Sequence, residues 1–171
     1  MLYVIEELQG YISQDQINLI IKIIIEQYNK YLRYTNSDTF KALFNDEYSP
    51  HNKQYSISWA ISSAFTKGSN VCDGFQIECL KYAKNFNRPL LKNEKINILI
   101  LNKTTHFNAN YLKDFYRMNS KNTEKVFCYF KFSVDENRLT KVSLCYPDEN
   151  GNIVSEETLL ERKDIDLKLV S

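Results

Sequence analysis

From Lys125 to Val134 the chain alternates without a break. Val126, Cys128, Phe130, Phe132 and Val134 fall on one side of an extended backbone, and Phe127, Tyr129, Lys131 and Ser133 on the other. That period of two predicts a strand whose first face is core. Near the amino end the period lengthens: Ile17, Ile20, Ile21, Ile24, Tyr28, Tyr31 and Leu32 recur at helical spacing. Ser13 and Gln16 stand at capping-box distance just ahead of them, so a helix is predicted over about 14 to 34. Ile23 and Ile25 widen its apolar arc, which predicts packing on more than one side. A short helix is predicted over about 39 to 45 behind Ser37 or Asp38 as cap. A third follows over about 55 to 66, with Ile57, Ala60, Ile61, Ala64 and Phe65 inward and Gly68 ending it.

Further along, residues 75–82 and 95–102 read as strands, with the polar stretch from Asn85 to Pro89 as the connection of a wide hairpin. Tyr111, Leu112, Phe115 and Met118 predict an amphipathic helix over about 108 to 118. After a turn at 135–138 come a strand at 140–146, an Asn-Gly turn within 148–152, and a last alternation at Ile165, Leu167 and Leu169. Aligning apolar faces sets Val134 opposite Thr140, Phe132 opposite Val142, Phe130 opposite Leu144 and Cys128 opposite Tyr146, so Cys145 faces away from Cys128. The expected class is α+β, with amino-terminal helices packed on a mainly antiparallel sheet of about five strands. The 171 residues read as one globular domain, helical to about residue 70 and sheet-rich beyond.

Composition adds a provenance and a compartment. Asn (18), Lys (17) and Ile (16) are abundant while Ala and Arg (5 each) are scarce, the bias that AT-rich codons impose; it points to a low-GC bacterium, or to a phage or mobile element living in one. Glu6 and Glu7 stand where a signal peptide needs bases, and no apolar run approaches bilayer length, so a cytoplasmic protein with no membrane partner is expected.

Charge changes the picture more. Residues 79–131 carry eleven Lys/Arg against three Asp/Glu, whereas residues 1–78 hold six against nine and residues 132–171 five against nine; +8, −3 and −4 make the net +1. A near-neutral total hides a basic middle. Lys81, Lys84, Arg88, Lys92, Lys95 and Lys103 cluster around the predicted hairpin, and with Tyr129 and Lys131 they are the candidate binding residues. A solvated lysine-rich surface is the plainer alternative.

Candidates for chemistry are thin. Cys72, Cys79, Cys128 and Cys145 show no Cys-x-x-Cys spacing, and only two histidines could complete a zinc site, so no metal and no cofactor are expected. His106, in Lys103-Thr104-Thr105-His106 after a predicted strand, is the one weak catalytic candidate. With Lys103 as phosphate clamp and Tyr129 or His51 as acid it would make a metal-independent ribonuclease-type toxin. A helix-capping or packed histidine explains it as well. No phosphate-binding glycine loop or nucleophile elbow is present.

The segment from Lys125 to Phe132 resembles the base-stacking strand of RNA-recognition-motif domains in its aromatic and basic spacing. Val126 and Cys128 replace the glycine and small residue of that strand, and the Leu2-Tyr3-Val4 segment that would partner it lies more than a hundred residues away. The resemblance implies that Phe127, Tyr129 and Lys131 share an outward face for bases; a covered face with aromatics as core is the alternative. A non-catalytic interaction protein is thus the leading expectation, an inhibitor of a host defence or nucleic-acid-processing protein being one form of it. Its partner would be a host protein or nucleoprotein with an acidic surface, with nucleic-acid binding second and the His106 ribonuclease third.

Overall fold

Six strands in the order β1-β2-β3-β4-β5-β6 form one sheet: β1 Gln76–Ala83, β2 Phe86–Lys92, β3 Ile96–Asn102, β4 Val126–Asp135, β5 Arg138–Pro147 and β6 Ile153–Glu161. The computed structural model describes residues 5–40, 50–65, 74–83, 86–102, 113, 125–135 and 138–170. All neighbours are antiparallel except β3 and β4, which run parallel. A parallel pair needs a connection that returns the chain to its starting end; residues 103–124 supply it and, except for Lys113, lie outside the described residues. The helix expected at 108–118 therefore lies outside them too, apart from Lys113, which is helical.

Helix α1, Gln14–Thr35, begins where its capping box requires. Ser13 Oγ accepts from the Gln16 amide at 3.2 Å, and Gln16 Oε1 accepts from the Ser13 amide at 2.9 Å. Ser37 Oγ likewise accepts from the Phe40 amide at 3.2 Å, so Ser37 rather than Asp38 caps the next helical turn, the rest of which lies outside the described residues. Helix α2, Pro50–Ala64, starts earlier than periodicity indicated, because a proline at the first helical position gives up no hydrogen bond. His51, the alternative acid of the ribonuclease reading, is therefore helical.

Both helices and the carboxyl-terminal helix α3, Arg162–Val170, lie on one face of the sheet. Ile17, Ile20, Ile24, Ile57, Ile61, Phe65 and Ile165 join Ile98, Ile100, Cys128, Phe130, Phe132, Val142 and Leu144 in a continuous core. The helical and sheet-rich parts thus share one interior. At the centre, Ile96, Ile98, Leu99, Ile100 and Leu101 are all buried, as a strand covered on both faces requires.

Three expectations are corrected. The supposed hairpin connection is itself strand β2: Pro89 hid it, yet the β2–β3 ladder begins only at Leu90, so the proline sits where β2 pairs with β1 alone. The alternation at Ile165, Leu167 and Leu169 is helical, with Asp164 in the first turn where acids favour helix starts, while the last strand is β6 before it. The sheet consequently has six strands, not five. In the β4–β5 ladder Phe132↔Val142 and Phe130↔Leu144 pair as read from the sequence, but a bulge at Ser133/Val134 sets Val134 against Leu139 instead of Thr140. Among the described residues no helix is long and apolar enough to cross a membrane.

Candidate functional site

Where the amino end of α1 meets the end of the sheet, the chain leaves an open cleft of about 1070 Å³. One wall comes from the segment entering α1, Gly10 to Gln16, and from Gly74 to Gln76 entering β1; the other comes from Lys92 to Lys95 and from Lys125. Gly10 has φ +81°, a left-handed conformation that favours glycine, and a Cβ added there would meet nothing within 4 Å. Beside it Tyr11 keeps 38% of its surface exposed.

The basic wall is a fastened turn. Asn93 Oδ1 accepts from the amides of Lys95 at 2.8 Å and Ile96 at 2.9 Å, and the Asn93 amide donates to the Ile96 carbonyl at 3.1 Å. Lys125 Nζ donates to the Asn93 carbonyl at 2.7 Å, and the Val126 amide to the Lys95 carbonyl at 3.0 Å. The parallel register Ile96↔Val126 thus brings Lys95 and Lys125, thirty positions apart, to neighbouring places. Lys92 is ion-paired with Glu78, Glu94 and Lys95 are exposed, and Lys95 makes no side-chain ion pair among the described residues.

The second face of the sheet carries the other basic candidates. Leu90, Leu99, Leu101, Phe127, Tyr129 and Cys145 form a smaller buried cluster that includes no residue of the described helices. Arg88 and Lys92 share this face with Leu90 by strand alternation, and Lys131 with Tyr129. Lys131 Nζ donates to Glu156 Oε2 at 2.6 Å, and Lys141 Nζ lies 3.2 Å from Glu156 Oε1. Burial works against the Glu156 carboxylate, but Lys131, Ser143 and Lys141 outweigh it and hold its carboxyl at about 2, from 4.5. Ser143 Oγ lies close enough to Glu156 to favour the ionised carboxylate, yet this fully buried hydroxyl meets no partner at hydrogen-bonding geometry among the described residues. The Tyr129 hydroxyl donates to the Cys145 sulfur. Burial pushes the Cys145 thiol up to about 12, against the pull of Lys131, so it is no nucleophile near neutral pH.

The sequence-derived candidates thus divide. Lys92 and Lys95 line the cleft; Arg88, Lys92, Tyr129 and Lys131 share the second face, where Arg88 is 6% and Tyr129 3% exposed. Tyr129 is interior, so the covered-face alternative fits it. Lys81 pairs with Asn87 on β1, while Lys84, Lys103 and His106 lie outside the described residues, and with them the ribonuclease constellation. Cys128 and Cys145 are free thiols on opposite faces. Sequence reasoning missed Tyr11, Asn93 and Lys125 as lining residues; nothing local joins them: the parallel β3–β4 register brings Lys125 to the Asn93 turn, and the entry to α1 brings Tyr11. Comparison with protein-family models, with curated proteins and with solved structures finds no match for this chain.

Proposed function

We propose that the protein is a non-catalytic interaction protein that receives an acidic surface of a partner protein at this cleft. The observation that carries the reading is how the cations of the basic middle are matched. Lys92 and Lys131 already meet Glu78 and Glu156, whereas Lys95 is exposed on the cleft wall with no side-chain ion pair among the described residues. A cation that stands on a fastened turn in an open cleft and has no ion pair to break among the described residues is open to an incoming carboxylate. Nucleic acid is the second reading. Binding a phosphate backbone draws on several cations at once, and the cleft lining includes the carboxylate of Glu94 next to Lys95 in sequence. The Asn, Lys and Ile bias supports an origin in a phage or mobile element of a low-GC bacterium; a host defence or nucleic-acid-processing protein is the inhibited partner that such an origin suggests.

The test is affinity capture from lysate of a low-GC bacterium, with and without nuclease, using the wild-type chain and Lys95→Glu. A partner protein retained through nuclease treatment and lost with Lys95→Glu supports the reading. Capture abolished by nuclease and indifferent to Lys95→Glu overturns it in favour of nucleic acid.

A further inference from the structure

We infer that the cleft recognises an extended acidic segment in which a carboxylate side chain alternates with an apolar or aromatic one, the carboxylate going to Lys95 and Lys125 and the apolar side chain to Tyr11. This rests on the acidic-partner reading and sharpens it to a two-point contact.

Three features of the cleft argue for it. Its volume of about 1070 Å³ lies at the upper limit of small-molecule pockets, about 300–1,000 Å³, and it is open, so a length of polymer fits it better than a compact metabolite. Its two walls differ in chemistry. On one side the Lys95 backbone is fixed by the Asn93 turn and the Lys125 ammonium donates to the Asn93 carbonyl, and on the other the Tyr11 ring is part-exposed beside the open space at Gly10. A part-exposed tyrosine contributes contact area with little side-chain entropy to lose, which is why such residues anchor interfaces.

Glu94 supplies the discrimination. It is exposed on the same wall as the lysines, so a segment charged at every position meets repulsion there, while one whose charges are spaced by apolar residues does not. Ser13, Gln16 and Gln76 complete the lining with hydroxyl and amide groups suited to a peptide backbone.

The experiment measures fluorescence anisotropy of three labelled probes with the purified protein: a short peptide alternating glutamate with phenylalanine, an all-glutamate peptide of equal length, and a single-stranded oligonucleotide. The alternating peptide is expected to bind most tightly. Lys95→Glu should weaken it about tenfold or more, and Tyr11→Ala about fivefold or more, with circular dichroism unchanged. Equal binding of the all-glutamate peptide with no effect of Tyr11→Ala overturns the two-point inference and leaves the acidic-partner reading standing. Preference for the oligonucleotide overturns both. If none of the probes binds, this inference fails, and the acidic-partner reading is decided by the capture experiment alone.

Discussion

The two faces of the sheet are built from alternate residues of the same strands, yet they differ in kind. The helix-covered face is apolar from Phe75 on one side to Leu160 on the other. The second face sets a small apolar cluster around Tyr129 among Arg88, Asn97, Lys131, Ser143 and Glu156. The difference teaches that linear charge density is a poor guide to surface charge. The alternation that buries Phe130 also turns Lys131 to the opposite face, where only 16% of its side-chain surface stays exposed and a carboxylate must meet it. Lys95, at a turn, escapes that constraint. Part of the basic middle is therefore structural, while Lys95 stays exposed with no side-chain ion pair among the described residues.

The largest expected effect tests the first face. Phe130→Ala and Phe132→Ala each remove a fully buried ring and should destabilise the protein by about 3–5 kcal/mol, lowering the thermal midpoint by roughly 10 °C or more. Midpoints within a degree or two of wild type would refute the assignment of that face as core.

How much of this was readable in advance follows from where the determining contacts lie. The capping box of α1, the inward Ile57 and Ile61 of α2 and the pairs Phe132–Val142 and Phe130–Leu144 of β4 and β5 rest on local periodicity, and they were legible; the bulge that shifts Val134 was not. Strand β2 was not, because Arg88-Pro89 reads locally as a breaker, and only its pairing with β1 makes it a strand. The carboxyl-terminal alternation was ambiguous because three apolar residues two apart satisfy a strand while Ile165 and Leu169 also satisfy a helix. Of the site, Lys92 and Lys95 were identifiable from charge. Lys125 and Tyr11 were not, since they join the cleft only through a parallel register and a helix entry far apart in sequence.

A smaller effect tests whether the second face depends on its ion pairs. Glu156→Gln leaves Lys131 without its carboxylate and should cost about 1–2 kcal/mol; solvent reaching Glu156 screens the pair, so the loss stays below that of a fully buried one. The pH dependence carries a sign. A folded-state pKa near 2 against an ordinary 4.5 means that the carboxylate contributes stability fully above about pH 4.5 and loses it as pH falls toward 2. Urea denaturation across that window should show a shallower acid slope for Glu156→Gln than for wild type. Parallel slopes would mean that the Lys131–Glu156–Lys141 contact does not persist in solution.

The smallest effect concerns Ser143, and here the two faces predict opposite signs. On the helix-covered face any truncation leaves a cavity and destabilises. The Ser143 hydroxyl, fully buried with no partner at hydrogen-bonding geometry among the described residues, already carries a desolvation cost of about 1–3 kcal/mol, so Ser143→Ala should be neutral or stabilising by up to about 1 kcal/mol. The same substitution removes one of the groups favouring ionised Glu156, so its carboxyl should titrate somewhat higher, and the acid-dependent loss of stability, which still begins near pH 4.5, should be smaller and end at higher pH. Urea denaturation near neutral pH reads the first effect, and an acid titration followed by circular dichroism reads the second. Destabilisation beyond about 1 kcal/mol would show that the hydroxyl does have a partner, and that the second face is as fully matched as the first.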